Sequence, residues 1–197
     1  MNWLAIAAIS LANNLDNTGV GLAYGLAGIE LRPLVNLWIS VITYLITMAS
    51  VLSGSRISRH MPAAAANGLS AAVLCGIGLW MLLPFIKRYT SHISGLGALL
   101  REPQRADRDR SSHIDFQEAT VLAVALSINN VGGGFSAGLI GLSAGWVALS
   151  SAAVSCLVLW GGGLIGSRFG TSRLGERATI SAALLLIAIG LNQLRPK

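Results

Sequence analysis

The sequence predicts an all-α polytopic membrane protein, with six transmembrane helices arranged as two inverted three-helix repeats. Three observations lead there. Only 11% of its 197 residues are charged while 53% are hydrophobic, against about 25% charged in an ordinary soluble domain. Apolar runs of about 20 residues, the length that crosses a bilayer, recur along the whole chain. A polar-then-glycine pattern also occurs twice. SLANNLDNTGVGLAYGLAG begins at Ser10 and ALSINNVGGGFSAGLIG at Ala125.

Span one is expected over Trp3–Gly28, as a single helix carrying Asp16. Its start has no positive n-region, so it reads as a retained helix and not a cleaved signal. Glu30, Arg32 and Pro33 make a turn before span two, Leu34–Gly54. Arg56, Arg59, His60 and Pro62 lead to span three, Ala63–Ile86. The long polar stretch Arg101–Gln117, with four arginines and four acids between Arg101 and Asp115, has the composition of a solvated linker. Span four is expected over Glu118–Leu142 and span five over Trp146–Gly166. Arg168, Arg173, Glu176 and Arg177 form a basic turn before span six, Ala178–Leu194. Trp3, Trp38, Trp146 and Trp160 stand near expected span ends, as interfacial anchors do.

At a shift of 113 residues, Asp16, Asn17, Gly21, Gly25 and Gly28 meet Asn129, Asn130, Gly134, Gly138 and Gly141. At a shift of 112, Gly54-Ser55-Arg56 meets Gly166-Ser167-Arg168, and Ile77-Gly78-Leu79 meets Ile189-Gly190-Leu191. The halves are residues 1–86 and 117–197, joined by a linker over 87–116. Three spans is an odd number, so the second half enters the membrane upside down, the arrangement of many transporters. Ten of the 14 Lys and Arg residues fall on the side that carries the linker. The positive-inside rule then places the linker in the cytoplasm and both termini outside. The net charge of +6 is accounted for by topology and anionic lipid, without nucleic acid. Cys75 and Cys156 lie in apolar spans at unrelated repeat positions and read as packing residues.

Asp16 is the one acid in the interior of an apolar span. An ionisable group at bilayer depth costs at least ~2.5–3.5 kcal/mol and marks a functional site. Asn13, Asp16 and Asn17 share a helix face, and Asn129, Asn130 and Ser127 stand at matching depth in span four. Together they form an oxygen-rich set with one negative charge, suited to a hard or intermediate divalent cation such as Mn, Ca or Mg. A bound cation and a proton compete for one buried carboxylate, which is a mechanism for exchange. Gly21, Gly25, Gly134 and Gly138 are small-xxx-small pairs that let helices approach closely. Packing of the two glycine faces on each other would bring the polar turns together. No nucleotide-binding loop, zinc motif or hydrolase motif is present, so an enzyme is not expected and no cofactor is implied.

SLANNLDNTGVGLAYGL and ALSINNVGGGFSAGL resemble the paired signature helices of the MntP-type manganese efflux pump family. They are most similar to its branch of YtaF-like sporulation membrane proteins, within the LysE superfamily. The resemblance implies a six-helix inner-membrane exporter of divalent manganese. It also implies that acids in the first and fourth helices handle the ion. Asp16 matches the first; the second position is Asn129, which keeps an oxygen but not the charge. The expected function is a secondary transporter exporting a divalent cation, manganese first among candidates, in exchange for protons. Its partners are the metal ion and the lipid bilayer. The alternatives are a non-transporting scaffold or sporulation-type membrane protein with a degraded ion site, and an exporter of a small amino acid or organic cation.

Overall fold

In the computed structural model, which describes residues 2–86, 107, 113–169 and 172–194, the protein is built from helices. They are α1 (Trp3–Asn14), α2 (Asn17–Ala27), α3 (Pro33–Ser58), α4 (Ala63–Ile86), α5 (Phe116–Leu126), α6 (Ile128–Leu139), α7 (Ala144–Phe169) and α8 (Ser172–Gln193). Nearly all of the expected linker lies outside the described residues.

Two single helices, Pro33–Ser58 and Ala144–Arg168, are long and apolar enough to cross a membrane. A third candidate is the pair α5 and α6, bent by 48° at its break. Together with many outward-facing apolar side chains, such as Leu4, Leu34 and Leu157, these helices describe a multi-pass membrane protein.

The first expected span is two helices, not one. Asn, Asp and Ser compete with the backbone for hydrogen bonds and are weak helix formers. Asn14 donates back to the Ser10 carbonyl at 2.8 Å. Thr18 N and Gly19 N then reach only to Leu15 O and Asp16 O, at 3.1 and 2.9 Å, so the chain tightens where α1 gives way to α2. Span four breaks at Ser127, one turn before its own glycine run.

Each glycine-rich half-helix ends alike. Gly28 and Gly141 take left-handed φ values of 70° and 74°. Ile29 N reaches back to Tyr24 O at 3.0 Å, and Leu142 N to Ala137 O at 2.9 Å. This is the 6→1 bond of a Schellman stop, for which glycine carries no Cβ penalty. At its other end, α5 opens with a capping box. Asp115 Oδ1 accepts from Glu118 N at 2.7 Å, and Glu118 Oε2 accepts from Asp115 N at 3.2 Å. Asp115 therefore belongs to the helix start and not to a solvated linker. The basic stretch read as a turn before span six also differs, because α8 already begins at Ser172. Its Arg and Glu are good helix formers and continue the helix.

The three largest helix interfaces are α2 on α7, α3 on α6 and α4 on α8. The glycines set the first two, and their faces do not lie on each other. A Cβ at Gly21 would stand 2.6 Å from Leu159 O and 3.1 Å from Gly162 Cα. One at Gly25 would run into Gly163 O and stand 2.6 Å from Ser167 N. On α6, a Cβ at Gly134 would stand 3.3 Å from Thr47 O and 3.1 Å from Ser50 Cβ. One at Gly138 would run into Val51 O and stand 2.7 Å from Ser55 N. Each contact on α7 has its counterpart on α3 at an offset of 112. Glycine meets glycine or a bare carbonyl, so backbones approach more closely than two larger side chains would permit.

The ends of the helices sort into two groups. Trp3 and Trp146, at the starts of α1 and α7, meet edge to face with ring centroids 5.1 Å apart. Trp38 and Phe116, at the starts of α3 and α5, do the same at 6.2 Å. Trp38 Nε1 also donates to Thr120 Oγ1 at 3.0 Å. Glu30 and His113 form an isolated parallel bridge. Trp160 lies well inside α7 and not at its end, because the helix continues past the glycine run to Phe169.

Candidate metal centre

The two breaks face each other. Asn129 Nδ2, in the first turn of α6, donates to Asp16 Oδ2 at 2.6 Å. Asp16 precedes α2 but makes no side-chain cap to it, so its carboxylate is turned toward the other half. Asn14 and Asn130 form a reciprocal amide pair, with Asn14 Nδ2 to Asn130 Oδ1 at 3.3 Å and Asn130 Nδ2 to Asn14 Oδ1 at 3.2 Å. Asn17 Nδ2 reaches Asn14 Oδ1 at 3.4 Å and Ser155 Oγ of α7 at 3.3 Å. Ser127 Oγ lies 3.3 Å from Thr43 Oγ1 of α3.

All six expected site residues thus sit around the breaks. Asp16 and Asn129 touch, as do the networks of Asn17 and Asn130 through Asn14. Asn13 stands apart from these bonds and lies over Gly133, where a Cβ would overlap its carboxamide. Sequence reasoning missed Asn14, Thr43 and Ser155. Ser10, Asn14 and Asn17 form a second polar stripe at helical spacing, which was legible beside the Asn13–Asp16–Asn17 stripe. Thr43 and Ser155 are small polar residues one repeat offset of 112 apart.

Several oxygens here are buried without a hydrogen-bond partner. They are Asp16 Oδ1, Asn13 Oδ1, Asn17 Oδ1, Asn129 Oδ1 and Thr47 Oγ1. Buried polar groups are normally paired, and leaving one unpaired costs about 1–3 kcal/mol. One carboxylate oxygen and four amide or hydroxyl oxygens left unpaired around the two breaks make a donor set for a cation that prefers oxygen. Helix polarity agrees. The starting end of α2 favours the negative charge of Asp16, while α1 and α5 end here with the helix pole that favours a cation.

Among the described residues, no group of three or more His, Cys, Asp or Glu is placed to hold a metal. Cys75 and Cys156 are free thiols, and Cys156 Sγ accepts from Asn36 Nδ2 at 3.4 Å. What the centre offers is one carboxylate with amide and hydroxyl oxygens.

A family model described as "Mntp: Putative manganese efflux pump" matches residues 96–194. The chain is 30% identical over 207 aligned positions to "Probable sporulation protein YtaF" of Bacillus subtilis (strain 168), covering 97% of this chain and 99% of that protein. It is 25% identical over 201 positions to "Putative manganese efflux pump MntP" of Pelotomaculum thermopropionicum, covering 97% and 98%. No solved structure matches the chain significantly. With the family model spanning half of the sequence and a relative at 30% identity spanning nearly all of it, this chain belongs to the MntP family.

Proposed function

We propose that this protein is a secondary transporter that exports a divalent cation, manganese first, from the cytoplasm, in exchange for protons. Asp16 is the charged ligand and proton acceptor. Asn13, Asn17, Asn129, Asn130 and Ser127 supply neutral oxygens. The observation that carries this reading is the meeting of Asp16 and Asn129 across two facing helix breaks, at 2.6 Å, among buried oxygens with no partner. Broken helices with polar backbone at their ends are the usual way a membrane fold makes an ion site.

The architecture proposed is six spans in two inverted repeats, over 1–86 and 117–197, in a cell (inner) membrane. It has both termini outside and the 87–116 linker in the cytoplasm. The glycine contacts that correspond at a constant offset support the repeat. The end-to-end pairings support the alternation of direction. Trp3 with Trp146 would mark the outer side, and Trp38 with Phe116 the inner.

A second reading has its own support. Asn129 carries no charge and its amide already occupies one Asp16 oxygen, and one relative is named a sporulation protein. On that reading the fold is kept as a membrane scaffold without transport.

Purified protein in liposomes with a manganese-sensitive dye inside separates the two. Wild type should carry manganese with opposite proton movement, and Asp16→Asn should lose at least tenfold in flux (~1.4 kcal/mol). No flux from wild type would remove the transport reading, and equal flux from both proteins would remove Asp16 as the ligand.

A further inference from the structure

Beyond the Asp16 centre, two helix faces run from it to one end of the molecule. On α1, Ala5, Ile9 and Asn13 recur every four residues, and Asp16 follows three later in the break. This is one face of a helix. On α6, Asn129, Gly133, Ala137 and Ile140 follow the same rhythm. The two faces meet rung by rung. Asp16 bonds Asn129. Asn13 lies on Gly133, where even a methyl group would overlap its carboxamide. Ile9 and Ala137 are both fully buried and belong to one apolar cluster. Ala5 and Ile140 line a cavity of about 330 Å³.

That cavity has its rim at the half-buried Asn67 of α4 and the exposed Asn192 of α8, and a floor at Ile9, which is 0% exposed. Between floor and carboxylate lies Asn13. It too is 0% exposed, and both its Oδ1 and its Nδ2 lack a partner. A buried amide satisfied at neither atom costs folding free energy. It stands three residues before Asp16, a little under one helical turn, or about 4.5 Å of helical rise.

We infer that these two faces form the release half of the passage, with Asn13 over Gly133 as a relay site for a divalent cation and Ile9 as the apolar plug that separates it from the outer cavity. The inference rests on the transport reading for its cargo, but not for its geometry. An oxygen one turn from the carboxylate lets the ion leave Asp16 in steps. Gly133, having no Cβ, leaves room for the Asn13 carboxamide. Ile9 against Ala137 closes the route by excluding water, as apolar constrictions do in channels. Motion of α1 on α6 would open it.

The test is cysteine accessibility in protein lacking Cys75 and Cys156 (both replaced by alanine), using a membrane-impermeant cationic thiol reagent. Single cysteines are placed by Asn67→Cys, Asn192→Cys and Asn13→Cys, with lipid-facing Leu45→Cys as the control. The reagent is applied to intact cells or to inside-out vesicles. Asn67→Cys and Asn192→Cys should label from the outside only. Asn13→Cys should label slowly, and about tenfold faster from the same side once Ile9→Ala is added. Ile9→Val, a gentler change, should give a smaller increase in a protein of unchanged elution profile. Labelling of the two rim cysteines from the cytoplasmic side would overturn the assignment. So would an Asn13→Cys rate that neither Ile9 variant alters. The labelling is independent of cargo. A protein that moves no manganese yet labels in this order keeps the passage and loses the manganese reading; the opposite pair of results keeps manganese and loses this passage.

Discussion

Asn129 holds Asp16 through a 2.6 Å hydrogen bond donated by its side-chain amide. A neutral donor therefore stands where a second carboxylate would balance a divalent charge. Asn129→Asp should raise manganese affinity about tenfold, or ~1.4 kcal/mol, because it exchanges a donor to Asp16 for a second anionic oxygen. Asn129→Leu should lower it, since Asp16 then loses its partner in a buried setting. Calorimetric titration of detergent-purified protein with manganese measures both. An affinity that ignores residue 129 would place the cation elsewhere.

The Asn14–Asn130 pair ties the two breaks together independently of any charge. Single changes to Leu should each destabilise the protein, and the double change should cost less than their sum. The coupling expected is about 0.5–1.7 kcal/mol, in the range of hydrogen bonds between membrane helices. A double-mutant cycle on unfolding in mixed micelles reads it directly. Strict additivity would mean that the two amides do not depend on each other.

Gly25 and Gly138 press on backbone, of α7 and α3 respectively, where no side chain can give way. Gly25→Ala and Gly138→Ala should each cost about 1–3 kcal/mol through overpacking. Gly68→Ala, with nothing within 4 Å of its Cβ position, should be neutral or slightly stabilising, since alanine is the better helix former. Melting temperatures in detergent separate the two classes. Equal melting of all three variants would contradict the close approach.

Asp115 starts α5 through its capping box with Glu118. Asp115→Ala should cost about 1 kcal/mol, and Asp115→Asn should recover most of it, because the amide oxygen can still accept from Glu118 N. Hydrogen exchange at the first turn of α5 should follow the same order. Exchange unchanged by Asp115→Ala would show that packing alone fixes that helix start.

Much of this was legible in the chain before any coordinates. The apolar runs dictate helices. A carboxylate among them is too costly to be incidental, and the repeated polar-then-glycine pattern pairs Asp16 with Asn129 by arithmetic alone. The helix breaks were harder to read. Asn and Asp disfavour helix locally, but hydropathy over a 20-residue window averages across one weak turn. The partners of the glycines were not legible at all. A small-xxx-small stripe says that some backbone comes near, and it carries nothing that names which one. The crossed packing of α2 on α7 and of α6 on α3 was settled in three dimensions, where each glycine face came to lie against the backbone of the other half's long helix. The same crossing decided that Thr43 and Ser155 would reach the polar turns, and that Asn13 would lie on Gly133. Sequence determined which residues could not remain alone in an apolar setting; the tertiary structure decided which partners they found, because side-chain contact depends on how helices cross, and no local pattern encodes a crossing.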